Sequence, residues 1–219
     1  DNQPAIALFD SINNDLRFMR FDGSIWQSTT IDSTGTTGRG CCLSIIAGEP
    51  AISYLGMNNE LKYARFDGAN WQIDTIDTSA KYASDMRTSL KTQPNGQPAI
   101  AYYAHCLKYA AYDGTSWNIT TVDNSTLTGR CAELEFDPTG NPAISYYDLD
   151  KHKLMYACFD GTNWNTDTIY SCGINQTLGT FNSMAFLPDG TPVIGWYLKY
   201  TSSAYGKLNF TWLKDNGQW

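Results

Sequence analysis

The sequence predicts an all-β fold built from a repeated unit of four short antiparallel strands, and three observations predict it. Five segments align on one frame, opening at Pro4-Ala5-Ile6-Ala7, Pro50-Ala51-Ile52-Ser53, Pro98-Ala99-Ile100-Ala101, Pro142-Ala143-Ile144-Ser145 and Pro192-Val193-Ile194-Gly195, with spacings of 46, 48, 44 and 50 residues. The runs inside each unit are short, rich in β-branched and aromatic residues, and bounded by Gly, Pro, Asn and Asp, which is strand punctuation. No segment keeps the 3.6-residue period of a helix. Four-stranded units of this length, repeated about five times, are the signature of a β-propeller. With 219 residues over five units, about 44 each, the expectation is one five-bladed domain over residues 1–219.

Taken in chain order within a unit, the innermost strand, a, is expected at Cys42 to Ile46, Thr88 to Thr92, Ala132 to Phe136 and Ser183 to Phe186. Strand b follows the Pro and alternates a small face (Ala143, Ser145) with a large one (Ile144, Tyr146), so both faces are occupied, as stacking against sheets on either side requires. Strand c is the run beginning Leu16, Leu61, Leu107, Leu154 and Leu208, and strand d follows the next turn, as in Asn165 to Ile169. Only three residues precede Pro4, and the last d run stops at Trp219. The first and last blades are therefore expected to be incomplete, with three ways to finish them: a longer chain, closure by recombining the ends, or a strand supplied by a neighbouring subunit.

Between c and d comes the most repeated feature, the turn Asp22-Gly23 to Trp26, Asp67-Gly68 to Trp71, Asp113-Gly114 to Trp117 and Asp160-Gly161 to Trp164, with a looser copy at Asp215 to Trp219. Turn chemistry explains the spacing: Gly takes the positive-φ position, Asp caps the turn, and Trp fills the gap between blades. A ring of sugar-stacking platforms is the functional alternative. The elements P-x-I-S-Y-Y-D, L-K-Y-A and F-D-G-x-x-W resemble the repeats of secreted bacterial propeller proteins and, more distantly, propeller lectins. The sialidase Asp-box, S-x-D-x-G-x-x-W, is also similar, although here Asp22 and Gly23 are adjacent. The resemblance implies a propeller scaffold and, through the lectins, carbohydrate binding.

Charged residues make up 17% of the chain and aromatics 14%, and the formal net charge is -7. The low charge density is unusual for a soluble domain, and the negative sign is wrong for covering phosphates or an anionic membrane. Nucleic acid is not an expected partner. No apolar run approaches the length of a membrane span, and no charged leader precedes an apolar segment, so a soluble or already trimmed chain is expected, without membrane insertion. Only His105 and His152 are present and no G-x-S-x-G occurs, leaving little material for a nucleophilic triad or a His-rich metal site. No carboxylate pair is singled out for glycoside hydrolysis, and Asp148-x-Asp150 lacks the Gly and distal Glu of a calcium loop. Neither cofactor nor metal is expected, and a binding role is favoured over an enzymatic one.

Alternation along four strands puts the a-to-b and c-to-d turns on one face of the disc and the longer, variable b-to-c and d-to-a connections on the other. Function more often sits on variable loops carried by a rigid scaffold. Candidate ligand residues there are Arg39, Arg87 and Arg130 at the entry to strand a, Tyr82 in the 77–85 loop, and Asp148 and His152. The arginines read as donors to anions or sugar hydroxyls, or equally as ion-pair partners of loop carboxylates such as Asp32 or Asp85. Six cysteines leave the pairing open, with Cys131–Cys172 a plausible bridge between neighbouring blades in an oxidising compartment. Four sequons, at Asn118, Asn124, Asn175 and Asn209, permit N-glycosylation. The leading expectation is an extracellular or cell-surface glycan-binding module. The alternatives are a structural subunit whose incomplete blades are finished by a neighbouring copy, giving a fibre or oligomer, and a sialidase-like enzyme.

Overall fold

The computed structural model describes residues 3–81, 87–173, 176–200, 206–214 and 216–219, and among them every regular element is a strand. Eighteen strands form five antiparallel sheets. The first contains β1 (Ala5–Asp10), β2 (Asp15–Phe21) and β3 (Trp26–Asp32). The second contains β4 (Arg39–Ile46), β5 (Glu49–Leu55), β6 (Leu61–Phe66) and β7 (Trp71–Asp77). The third runs β8 (Ser89–Thr92), β9 (Pro98–Tyr103), β10 (Leu107–Tyr112) and β11 (Trp117–Asp123), and the fourth β12 (Thr128–Phe136), β13 (Pro142–Asp148), β14 (Lys153–Phe159) and β15 (Trp164–Ser171). The fifth has β16 (Gln176–Phe186), β17 (Pro192–Tyr200) and β18 (Gly206–Trp212). The expected strands are all present, strand a is absent from the first sheet, and the fifth sheet carries a, b and c.

Each sheet is a meander because its strands are joined by tight turns whose chemistry the sequence specifies. At the four Asp-Gly turns one carboxylate oxygen accepts two backbone N–H groups and the other accepts a side-chain amide from strand d: Asp22 from Ser24, Ile25 and Gln27, Asp67 from Ala69, Asn70 and Gln72, Asp113 from Thr115, Ser116 and Asn118, Asp160 from Thr162, Asn163 and Asn165. Those bonds hold the Asp67 and Asp113 carboxyls at about 2. The following glycines have φ near +95 to +101° with open space around them, so backbone conformation alone selects glycine.

The sheets stack in chain order, and their inner strands meet: β1 packs on β4, β4 on β8, β8 on β12, and β12 on β16. Four buried clusters fill the four junctions. Between the second and third sheets, Ala51, Leu55, Leu61 and Tyr63 meet Leu90, Ile100, Tyr102 and Ala110. Between the third and fourth, Ala99, Ala101, Leu107 and Tyr109 meet Leu134, Ile144, Tyr146 and Ala157. The small face of strand b in one sheet thus receives the large face of the next, as its alternation predicts. Each junction is plugged by a Trp set edge-on against an aromatic of the preceding strand c: Trp71 on Phe18 at 5.2 Å, Trp117 on Tyr63 at 5.2 Å, Trp164 on Tyr109 at 5.4 Å and Trp219 on Tyr156 at 4.9 Å between ring centroids. The turn aspartates and glycines thus hold their own turns, and the tryptophans pack at the junctions and also line clefts described below.

Candidate functional site

Hydrogen bonding across the junctions comes from residues the repeat frame did not flag. Strands β3, β7 and β11 end in Asp32, Asp77 and Asp123, and a buried tyrosine on strand b of the next sheet donates to each: Tyr54 to Asp32 at 2.8 Å, Tyr102 to Asp77 at 2.6 Å and Tyr146 to Asp123 at 2.8 Å. Lysines on strand c add ion pairs, Lys62 to Asp32 at 3.0 Å and Lys108 to Asp77 at 2.9 Å. Burial alone would raise the Asp32 carboxyl, but bonds from Thr34, Lys62 and Tyr54 outweigh it and hold the group at about 2. Asp77 is likewise at about 2, where bonds from Tyr102, Lys108 and Ser79 outweigh burial. The signal was available: Ile31-Asp32, Ile76-Asp77 and Val122-Asp123 close three of the d strands.

The arginines chosen from sequence lie at successive junctions rather than in one cluster. Arg39 opens β4 with its guanidinium 4.8 Å from the Phe9 ring of the first sheet, and Arg130 on β12 stands 6.0 Å from the Tyr103 ring of the third. Arg87 reaches across the centre, donating to the backbone oxygen of Asn182 at 2.6 Å and pairing with Glu133 at 3.1 Å. Burial raises the Glu133 carboxyl, with Arg87 and Lys91 opposing. Among the described residues the partner of Arg87 is thus an inner-strand glutamate, and Asp32 is engaged by Lys62 and Tyr54. Asp148 accepts the backbone N–H of Lys151 and pairs with its ammonium at 3.4 Å. His152 has φ +52°, with its Nδ1 3.0 Å from the Tyr147 hydroxyl, and His105 holds the matching position at φ +67°. Both histidines serve the b-to-c turns. Tyr82, Asp85 and Asn175 lie outside the described residues.

The Cys131–Cys172 bridge is not shown, the six cysteines standing as thiols in the structure. Cys131 is buried on the inner strand, where its carbonyl accepts from the Asn182 amide at 2.8 Å, so the position serves the contact between inner strands. Asn118 spends its amide on Asp113, Asn124 is exposed, and Asn209 donates to the Lys207 carbonyl at 3.1 Å.

The clefts open on the opposite side from the variable loops, between sheets at the level of the regular turns. The first, about 480 Å³, lies between the second and third sheets, with Tyr63, Tyr112 and Trp117 as its aromatic wall and Glu49, Arg65 and Asp74 at its rim. The second, about 450 Å³, lies between the third and fourth, with Tyr109, Phe159 and Trp164 as its wall and Asn95, Thr120 and Asn141 as its polar groups. Glu49, Arg65 and Asp74 are exposed, and none makes a hydrogen bond or ion pair with another described residue. An aromatic surface beside uncommitted hydrogen-bonding groups can stack a ring and hold its substituents. Sequence reasoning passed over these three because it looked for function in the loops. Glu49 alone departs from the frame, since the other units have Gln3, Gln97, Asn141 and Thr191 there, whereas Arg65 recurs as Arg20 and Asp74 as Asp167; the third unit has Gln97, Ala111 and Thr120 at the three positions.

Sheets of three or four antiparallel strands, stacked through one repeated joint about a centre crossed by Arg87, define a β-propeller. No protein-family description matches the chain, and no curated protein matches it in sequence. Solved structures do match in fold. SapL1 lectin, described in complex with alpha methyl fucoside, superposes with a TM-score of 0.65 at 15% identity, covering 100% of this chain and 75% of that one. The lectin of Aleuria aurantia, described as a six-bladed propeller with a novel fucose recognition mode, superposes with a TM-score of 0.60 at 15% identity, covering 98% of this chain and 75% of that one. A leech intramolecular trans-sialidase follows at 0.54 and 15% identity, covering 90% of this chain and 36% of that one.

Proposed function

We propose that this chain is a glycan-binding propeller of extracellular or cell-surface location that takes sugar rings in the clefts between neighbouring sheets. One observation carries the reading: in the first cleft, between the second and third sheets, Trp117 and Tyr63 stand beside an arginine and two carboxylates that the protein itself leaves uncommitted. A pyranose needs both parts, an apolar ring face to stack and charged groups to exchange hydrogen bonds with hydroxyls. The fold likeness to two lectins whose descriptions name fucose supports the same class of ligand. In this reading the five sheets are the five blades of one domain over residues 1–219, and no cofactor takes part. A broad glycan array probed with the purified chain tests it. Binding to at least one glycan, weakened by Arg65→Ala, is expected, and an array at background throughout would overturn it.

A second reading, a structural subunit that associates with copies of itself, is favoured by one specific observation. The outward face of the fifth sheet presents Leu208, Phe210 and Trp212 to solvent, and apolar patches of this kind mark association surfaces. Light scattering and electron microscopy separate the two readings: fibres or closed oligomers support this one, and strictly monomeric discs eliminate it.

A further inference from the structure

The two clefts present one architecture with different charge. The rim positions supplied by the second sheet are Glu49, Arg65 and Asp74, and the same register positions in the third sheet are Gln97, Ala111 and Thr120. The cleft between the third and fourth sheets accordingly has no charged residue in its lining. Asp67 also borders the charged cleft, but its carboxylate is spent on Ala69, Asn70 and Gln72 of its own turn. The fourth sheet shows what the protein does with an acidic group at the Asp74 position when it uses it internally. There Asp167 accepts the indole N–H of Trp219 at 3.0 Å, closing that junction. Between the second and third sheets the equivalent bond is not made, and the buried indole N–H of Trp117 has no partner. Asp74 is left facing the cleft.

We propose that the cleft between the second and third sheets selects sugars by charge, favouring amino sugars over neutral hexoses and rejecting uronic and sialic acids, while the cleft between the third and fourth sheets is indifferent. This rests on the reading that the clefts take sugars. Two uncommitted carboxylates against one guanidinium leave a net negative rim, and a single charge several ångströms away in water changes affinity by about threefold per unit of ligand charge. Amino sugars and uronic acids should therefore differ by about tenfold at low salt. The whole-molecule charge of -7 acts on both clefts, so the comparison within one molecule isolates the local effect.

The test is an NMR titration of the intact chain carrying ¹⁵N-labelled indoles, with Trp117 and Trp164 assigned through Trp117→Phe and Trp164→Phe. The probes are the amino sugars, parent hexoses and uronic acids of the gluco, galacto and manno series at pH 6, where the amines are protonated. The expected result is the order amino sugar, hexose, uronic acid at Trp117, a spread that collapses near 1 M salt, and affinities within about twofold of one another at Trp164. Glu49→Gln combined with Asp74→Asn, both exposed, leaves Arg65 balanced by the ionised Asp67 and should flatten the order at Trp117. A flat or reversed order in the unsubstituted chain, or the same order at Trp164, overturns the charge selection while sugar binding stands. If no sugar perturbs either indole, the selection falls together with the reading beneath it.

Discussion

The facing surfaces of the second and fifth sheets are built to one pattern and meet different fates. In the second sheet, Leu61 and Tyr63 of strand c lie under the third sheet, Tyr63 at 3% exposure and capped by Trp117. In the fifth, the same register positions are Leu208 and Phe210, and they stand 82% and 70% exposed. At the other end of the stack Trp26, the counterpart of Trp117, rests on Phe21 of its own sheet at 5.7 Å and is 41% exposed. The repeat therefore specifies a half-joint, an aromatic on one side and a Trp on the other. Burial comes only when the next sheet arrives, so an apolar strand pattern does not by itself locate core.

The largest test of that contrast is a matched pair of truncations. Tyr63→Ala should cost about 3–5 kcal/mol of unfolding free energy, as for a large aromatic removed from a packed core, whereas Phe210→Ala should change it by less than about 0.5 kcal/mol. Chemical denaturation of both variants checks this, and equal losses would mean that the fifth sheet's face is covered in solution.

Next in size are the inter-sheet carboxylates, which join the first three junctions; at the fourth, the matching positions are Tyr170 and Trp196, whose rings pack at 5.9 Å. Asp32 and Asp77, held at about 2 by their hydrogen bonds, lie below the unfolded value of about 4. Their contribution is complete above about pH 4 and disappears as the pH falls toward 2, about 2 kcal/mol for each. Asp32→Asn should lower stability at neutral pH and flatten the acid limb of stability against pH, read by denaturation midpoints from pH 2 to 7. The smallest effect concerns the open face alone. Leu208→Ser with Phe210→Ser should reduce fluorescence of a hydrophobic dye such as ANS with little change in melting temperature.

The fold was legible because period-2 alternation, the Pro-x-Ile openings and the Asp-Gly turns are local signals, repeated often enough to fix a frame. The missing inner strand of the first sheet followed from counting on that frame. The site was less legible because its parts belong to different sheets: Glu49, Arg65 and Asp74 meet Trp117 only after the second and third sheets stack. Internal repetition pointed to scaffold, and Asp22, Asp67, Asp113 and Asp160 accept hydrogen bonds within their own turns; the same reasoning drew attention to the variable loops, where Asp148 and His152 are held by their own hairpin. The uncommitted residues stand at frame positions whose identity varies between units, Arg65 being shared only with Arg20 and Asp74 only with Asp167.

The central claim is that ligand is held between sheets at the turn face and not on the loop face, and a comparison of two arginines tests it most directly. Glycan affinity should fall about tenfold or more in Arg65→Ala, as expected for loss of a charged hydrogen-bond donor, and remain unchanged in Arg130→Ala, with melting temperature followed in both. Affinity lost in Arg130→Ala and kept in Arg65→Ala would contradict the account.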